Sequence, residues 1–253
     1  MSGAGPEMRA AIITGPGRVS VTSLARPDPG AGEVLVRIEG SGVCGSNAPV
    51  WEGRSWFEYP QPAGTPGHEG WGWIAAVGEG VEGLEVGQRV AALSYRAFAE
   101  YDVAAADAVV PLPAALDGMP FPGEALGCAF NVCRRAGFEA GQTVAVVGVG
   151  FLGAIVVQRA VRAGASVIAI SRRASALEAA RRYGAAETIP LGDHDSVLER
   201  VWSLTGGQGC DVVVEAVGLQ GPLDLAGGLT RERGRLVIAG YHQDGKRQVD
   251  LQL

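Results

Sequence analysis

Two glycine-rich segments in the first third of the chain carry side chains that bind metals. Gly42-Val-Cys-Gly-Ser-Asn47 contains Cys44, and Pro66-Gly-His-Glu-Gly-Trp-Gly72 contains His68. Thiolate and imidazole groups are among the side chains that hold zinc in proteins. The second segment lacks the H-E-x-x-H motif of a metalloprotease helix, because position 72 is glycine. The two segments therefore predict a metal site on loops and exclude a metalloprotease of that type.

A third glycine-rich segment, Gly148-Val-Gly-Phe-Leu-Gly153, has the G-x-G-x-x-G spacing of a dinucleotide-binding loop. It follows a short apolar strand and opens a segment with helical spacing. Glycines there permit a tight turn and a close approach of the backbone to a pyrophosphate, while the helix N-terminus supplies N–H donors. The alternative is a tight turn without a ligand. We predict that the cofactor is bound by Gly148, Gly150, Phe151, Leu152 and Gly153.

The residues that end the next predicted strand bear on the choice between NAD and NADP. An NAD site usually has an acidic residue there, which receives the hydroxyls of the adenosine ribose. This chain instead has Ser171, Arg172 and Arg173. A hydroxyl and two guanidinium groups suit a 2′-phosphate, because arginine pairs well with phosphate. We predict a preference for NADP(H); the alternative is that both arginines are solvated at the start of a helix.

Hydrophobic periodicity divides the chain into the two domains that must position these residues. From residue 8 to about 113, short alternating apolar stretches such as 18–22 and 33–38 are broken by proline and glycine. This pattern is typical of strands joined by turns. We predict a β-rich domain over residues 1–120.

Residues 121–253 show a different pattern, in which short apolar strands alternate with helices. A strand at 143–148, a helix at 154–163 and a strand at 166–170 form a βαβ unit. Further helices are predicted at 174–183 and 196–204, and further strands near 188, at 211–215 and at 235–239. Five strands with this alternation predict an α/β fold with a doubly wound parallel sheet.

Composition narrows the class of partner. The formal net charge is -6, and the basic residues are scattered, so a nucleic-acid-binding face is not expected. The N-terminal residues lead into no long apolar segment, so neither a signal peptide nor a membrane span is expected. Four cysteines are too sparse for a disulfide framework. We expect a cytoplasmic protein that binds small molecules, and a homo-oligomer is compatible with these observations.

The motifs together resemble the zinc-containing medium-chain dehydrogenases, a family that includes alcohol, sorbitol and threonine dehydrogenases. The most specific match is Gly67-His-Glu-Gly-Trp-Gly72 continuing to Gly78 and Val81, which is similar to the zinc signature G-H-E-x-x-G-x5-G-x2-V. Residues 42–46, 87–90, 98–101 and the glycine loop also match. The resemblance covers almost the whole chain. It implies a GroES-like catalytic domain followed by a Rossmann domain.

The resemblance also implies the chemistry of the site. Cys44 and His68 would hold a zinc ion that lowers the pKa of the substrate alcohol, and Ser46 would relay the alcohol proton. The third ligand stays open between Glu69, Glu124 and Cys128, with a preference for Cys128 because thiolate is the softer partner for zinc. The structural zinc of the family needs four clustered cysteines, and residues 71–101 contain none. We therefore expect a single zinc ion.

The chain departs from the family pattern at three places. Asn47 stands where aspartate is common, and Pro49 stands where many relatives have a histidine that passes the proton to solvent. Both changes weaken the expected outer proton relay. Relatives also continue beyond the equivalent of Leu253 through a sixth strand. We therefore expect an incomplete Rossmann domain in which the strand at 235–239 lies at or near a sheet edge and favours association.

Three functions are compatible with these observations. The favoured one is a zinc-dependent dehydrogenase that oxidises a secondary alcohol on a polyol, sugar or cyclitol. A zinc-free enoyl or quinone reductase of the same superfamily is disfavoured by the presence of both Cys44 and His68. The third is a catalytically inactive nucleotide-binding protein. The substrate stays open, because aromatic residues such as Trp51 and Tyr59 line a pocket in one interpretation and simply pack in another.

Overall fold

The computed structural model describes residues 6–243 and 245–249. The chain divides into two compact units, the first ending at Leu126 and the second beginning at Gly127. Every helix in the described part of the chain is too short or too polar to span a bilayer. No disulfide joins any of the four cysteines, all of which are described.

The first unit is built from seven strands. Their bounds are β1 (Glu7–Gly15), β2 (Arg18–Ala25), β3 (Glu33–Gly42), β4 (Glu69–Val77), β5 (Arg89–Ala92), β6 (Tyr101–Ala105) and β7 (Val109–Pro111), with a short helix α1 (Ala48–Glu52) between β3 and β4. β1 and β2 form a hairpin, and the other five strands form an antiparallel sheet in the order β6-β3-β4-β5-β7. Valines 34, 36 and 90 and Ile74 bury its apolar face. The β-rich domain predicted from alternation is confirmed.

Pairing between β3 and β4 brings the two metal-binding segments together. In the antiparallel register Gly42 faces Glu69 and Ser41 faces Gly70. The loop that carries Cys44 leaves the end of β3, and His68 immediately precedes β4. Segments about twenty residues apart in sequence therefore meet at one end of the sheet.

The second unit is a parallel sheet with intervening helices. Its elements are β8 (Thr143–Val147), α3 (Phe151–Arg162), β9 (Ser166–Ser171), α4 (Ala174–Arg182), β10 (Glu187–Pro190), α5 (His194–Leu204), β11 (Cys210–Glu215), α6 (Gln220–Leu229) and β12 (Thr230–Ile238). They follow α2 (Gly123–Ala136), which contains the boundary between the units. The strand order is β10-β9-β8-β11-β12. The five predicted strands are confirmed, whereas α2 and α6 had no predicted counterpart.

Both faces of this sheet are covered by helices, which explains the continuous apolar strands. Val144 and Val146 of β8 point into a core with α2, α3 and α4, whereas Ala145 and Val147 point into a second core with α5 and α6. Successive side chains alternate between the faces, so a strand covered on both sides must be apolar throughout. The doubly wound α/β class predicted from the sequence is confirmed.

Strand β12 lies at the edge of the sheet formed by the described residues, in agreement with the prediction. Its first half carries the exposed residues Arg231, Glu232 and Arg233, which discourage pairing with another strand. Its second half ends in Ile238, which is 51% exposed. Association through this edge stays a prediction.

Candidate functional site

The candidate metal site consists of Cys44, His68 and Glu69. One ligand atom from each residue lies within 4.8 Å of the other two. Ligand atoms around a tetrahedral zinc ion are about 3.3 to 3.8 Å apart, so the upper limit on these separations is about 1 Å above that range. The donor set of thiolate, imidazole and carboxylate fits zinc chemically. Among the described residues, this is the group of such side chains that is able to hold a metal ion.

Gly42 makes room for the carboxylate of Glu69. A Cβ atom at position 42 would lie only 1.9 Å from Oε2 of Glu69. Because the two residues face each other across β3 and β4, any side chain at position 42 would displace the carboxylate. The register of β3 and β4 therefore holds the buried carboxylate of Glu69 beside Cys44.

Asn47 joins the two loops that carry Cys44 and His68. Its Oδ1 accepts a hydrogen bond from the Cys44 backbone N–H at 3.0 Å, and its Nδ2 donates to the Pro66 carbonyl at 3.2 Å. Nδ1 of His68 donates to the same carbonyl at 2.8 Å, which leaves Nε2 for a metal. The neutral amide therefore supplies the acceptor and the donor that fix both ligand loops, a role that the sequence did not reveal.

Burial raises the pKa of Glu69 above its ordinary value. A hydrogen bond from Cys44 opposes the shift, the negative charge of Glu124 adds to it, and His68 opposes it again. Removing a carboxylate from water disfavours its charged form unless a cation lies close by. A metal ion at this site would stabilise the ionised form of Glu69, so the electrostatics also fit a cation.

The other two predicted ligand candidates lie on α2. Glu124 is half-buried in the first turn of this helix, and Cys128 is exposed one turn later, in the second unit. Cys133 and Cys210, by contrast, are buried, and burial raises the pKa of Cys210 to about 12. Those two thiols belong to the core of the second unit, and they are poor metal ligands.

The glycine loop, residues 148–153, connects β8 to α3 at the carboxyl end of the parallel sheet. Gly148 has φ +98°, which side chains other than glycine rarely adopt, and a Cβ at Gly153 would lie 2.0 Å from the Gly148 carbonyl oxygen. A Cβ at Gly150 would meet nothing within 4 Å. The first and last glycines are thus required by the fold, and the middle one leaves open space at the helix N-terminus.

The two apolar residues predicted within this loop differ in their surroundings. Phe151 is the first residue of α3 and is 55% exposed, whereas Leu152 packs against the core of the second unit. The contribution of Leu152 to a cofactor site is therefore limited to its backbone N–H at the first turn of the helix.

Ser171 and Arg172 are placed differently from Arg173. Ser171 is the buried last residue of β9, and Arg172 is exposed beside it. Arg173 turns back and donates from Nη2 to the Val149 carbonyl at 3.1 Å. Arg173 therefore links the end of β9 to the glycine loop. The guanidinium group of Arg172 takes no part in this hydrogen bond.

The glycine loop also lies where parallel sheets bind ligands. β8 is hydrogen-bonded to β9 on one side and to β11 on the other. The chain after β8 runs to β9 on one side of it, and the chain after β10 crosses to β11 on the other side. At such a switch point the loops that follow the strands diverge and leave a crevice. The position of the loop and its glycines both fit a dinucleotide.

Sequence profiles of two domains match the chain. The profile of the alcohol dehydrogenase GroES-like domain matches residues 30–114, and that of the zinc-binding dehydrogenase matches residues 152–253. A sorbitol dehydrogenase from Halalkalibacterium halodurans is 30% identical, in an alignment that covers 92% of this chain and 77% of the relative.

Solved structures of dehydrogenases are also similar to this chain. A zinc-binding dehydrogenase from Sinorhizobium meliloti with NADP bound has a TM-score of 0.83 and 26% identity, covering 97% of this chain and 80% of that one. An alcohol dehydrogenase from Escherichia coli with NADH bound has a TM-score of 0.84 and 28% identity, covering 98% and 80%.

Proposed function

Because the chain belongs to the zinc-type medium-chain dehydrogenase family, we propose that it transfers a hydride between a secondary alcohol and NADP(H) with the help of one zinc ion. The substrate class we propose is a polyol, sugar or cyclitol. The observation that carries the proposal is the Cys44–His68–Glu69 group, in a chain that also holds a dinucleotide-type glycine loop.

Cys44 and His68 would hold the zinc ion with a third ligand. Glu69 already lies beside them, and Glu124 and Cys128 are the other candidates, so the preference for Cys128 stays a prediction. When bound, zinc would polarise the substrate oxygen and favour loss of the alcohol proton. We propose that Ser46, two residues from Cys44 and half-buried, relays that proton: Oγ would accept it while the hydroxyl passes its own proton on.

The continuation of the proton path differs from that expected of the family. Pro49 is buried and carries no group able to accept a proton. Asn47 is occupied by the hydrogen bonds that position the two ligand loops. The hydroxyl proton that Ser46 releases would therefore pass to water rather than to a side chain at position 49.

We propose that NADP(H) is preferred over NAD(H), with Ser171 and Arg172 at the 2′-phosphate. An aspartate in place of Ser171 would repel that phosphate, and Ser171 does not. Arg172 is exposed at the end of β9, and a hydrogen bond from a charged group contributes about 1.5 to 3 kcal/mol. This corresponds to roughly ten- to hundredfold in affinity.

The cofactor preference is tested by measuring dissociation constants for NADPH and NADH. The wild type is expected to bind NADPH at least about tenfold more tightly, and Ser171→Asp with Arg172→Ala is expected to reverse the order. Arg173→Ala is the matched control, since Arg173 bonds the glycine loop and its loss should weaken both cofactors alike. Equal wild-type affinities would show that Arg172 only faces solvent.

The activity is tested by a screen of polyols, sugars and cyclitols with NADP⁺, combined with metal analysis. Close to one zinc per chain with turnover of a secondary alcohol is expected. Turnover of enoyl or quinone substrates without metal would identify the zinc-free reductase instead. NADPH binding without turnover across the panel would identify an inactive nucleotide-binding protein. We propose the cytoplasm as the compartment, because four cysteines are too sparse for a disulfide framework.

A further inference from the structure

Glu215 is a fully buried carboxylate at the end of β11, outside the glycine loop. Its exposed fraction is 0%. Oε1 accepts hydrogen bonds from the backbone N–H groups of Val217 and Gly218 at 2.7 and 2.8 Å. A buried charge is costly unless it is paired and hydrogen-bonded, so this carboxylate stabilises one conformation of the β11–α6 loop, residues 216–218.

His242 and Arg247 complete the surroundings of this carboxylate. Nε2 of His242 lies 3.1 Å from Oε2 of Glu215, and Nε of Arg247 lies 2.9 Å from Nδ1 of His242. Arginine only donates, so Nδ1 must accept and Nε2 must carry the hydrogen that is donated to Glu215. The three side chains form one directed series of hydrogen bonds, from Arg247 through the neutral imidazole to Glu215.

The segment after β12 is fastened to the same loop by further contacts. Arg247 donates from Nη2 to the Gly218 carbonyl at 3.2 Å, and Gln248 exchanges two hydrogen bonds with Gln220 at the start of α6. A Cβ at Gly240 would lie 2.2 Å from the Gly218 N atom. The segment and the β11–α6 loop therefore pack without room for a side chain between them.

The β11–α6 loop packs against one side of the glycine loop. The Ala216 N–H donates to the Val147 carbonyl at 2.8 Å. A Cβ placed on Gly148 would lie 2.7 Å from Cγ2 of Val217 and 3.0 Å from the Ala216 carbonyl oxygen. A shift of this loop would therefore change the space beside Gly148, at the switch point of the sheet.

We propose that Glu215, His242 and Arg247 are positioning residues for the nicotinamide cofactor, which act by holding the β11–α6 loop against the glycine loop. The inference rests on the proposed binding of NADP(H). His242 donates to Glu215 and accepts from Arg247, and only the neutral imidazole does both. The role differs from core packing, because His242 and Arg247 act through hydrogen bonds.

Two variants of His242 separate this role from a general effect on stability. In His242→Leu both hydrogen bonds are lost. In His242→Gln the amide retains one donor for Glu215 and one acceptor for Arg247. We expect His242→Leu to raise the NADPH dissociation constant about five- to twentyfold, and His242→Gln to recover most of the affinity. Zinc content is expected to be unchanged in both, because the metal-binding group lies in the first unit.

The measurement is NADPH fluorescence titration of the full chain, with circular dichroism and metal analysis of each variant. If His242→Leu does not fold, Arg247→Met replaces it, since it removes the donor to Nδ1 and leaves Glu215 and His242 in place. Wild-type affinity in the folded Leu or Met variant would overturn the inference. Equal loss in His242→Leu and His242→Gln would also overturn it. Failure of the wild type to bind NADPH would instead contradict the proposed function.

Discussion

In the first unit, three side chains from two loops and the start of β4 form the candidate metal site, whereas in the second unit a single continuous loop of backbone forms the candidate nucleotide site. The metal-binding group depends on the register of β3 and β4 and on the amide of Asn47. The glycine loop depends on a strand and a helix that adjoin it in sequence. A site made of side chains therefore tolerates little movement between elements, while a site made of backbone requires chiefly the absence of side chains.

Removing a metal ligand should cause the largest effect. His68→Ala deletes one donor of the Cys44–His68–Glu69 group and should reduce alcohol oxidation by more than about a thousandfold, because the ion supplies several kcal/mol of charge stabilisation. NADPH affinity should stay within about twofold, since the glycine loop lies in the other unit. Metal analysis, activity and NADPH titration of one preparation check this. A variant that keeps zinc and activity would contradict the metal assignment.

The strand, glycine turn and helix of the second unit were easier to predict from the sequence than the strand pairing that brings Cys44, His68 and Glu69 together. The order strand, glycine turn, helix is contiguous, so local spacing revealed both the loop and Ser171–Arg173 at the end of the next strand. The metal-binding group depends on long-range pairing: no local pattern indicates that Gly42 faces Glu69 or that Asn47 bonds Pro66. The network at Glu215 was missed for the same reason, because His242 is 27 residues away.

Two glycine substitutions should separate the sites. Gly42→Ala pushes a Cβ onto the Glu69 carboxylate, and Gly153→Ala pushes one onto the Gly148 carbonyl. The first should weaken zinc binding at constant NADPH affinity, and the second should weaken NADPH binding at constant zinc content. Each should also cost about 1 to 3 kcal/mol of stability through overpacking. Zinc competition, NADPH titration and thermal unfolding are the measurements.

Gly45→Ala is the matched control for Gly42→Ala, because its Cβ would meet nothing within 4 Å. It should leave zinc content, NADPH affinity and thermal unfolding at wild-type values. If Gly42→Ala and Gly45→Ala both leave zinc binding at the wild-type level, the position of the Glu69 carboxylate opposite Gly42 is not needed for the metal.

Loss of the Asn47 amide should have a smaller effect on the metal site. Asn47→Ala removes the two hydrogen bonds that fix the loops of Cys44 and His68, and should weaken zinc about 10- to 100-fold. Competition with a chelator of known affinity measures this. Thr65→Ala is the control, since its hydroxyl donates to the Pro62 carbonyl in the same loop. Equal zinc affinities in both variants would show that Asn47 merely fills space.

Substitution of Asp211, at the start of β11, should have the smallest effect. Hydrogen bonding from the Thr143 N–H, and then from Arg231, lowers the pKa of Asp211, against an opposing effect of burial. A lowered folded pKa contributes stability above the unfolded pKa and loses it as pH falls through the folded one. Asp211→Asn should therefore cost about 1 kcal/mol near neutral pH, with a difference that shrinks below about pH 4.

Urea unfolding of wild type and Asp211→Asn at several pH values checks this, together with NADPH titration at neutral pH. Asp211 lies at the amino end of β11 and the β11–α6 loop at its carboxyl end, so cofactor affinity should be unchanged. A constant stability difference from pH 7 to pH 3 would contradict the role of the carboxylate charge.

The most direct test of zinc-dependent alcohol oxidation with NADP⁺ is the rate at which reduced cofactor forms before and after metal removal. The protein is assayed with a substrate identified in the polyol and sugar screen, dialysed against a chelator, and assayed again with zinc restored. We expect chelation to abolish the rate, one equivalent of zinc to restore it, and NADPH still to bind the metal-free protein. An undiminished rate in protein shown to be metal-free would contradict a role for zinc in the reaction.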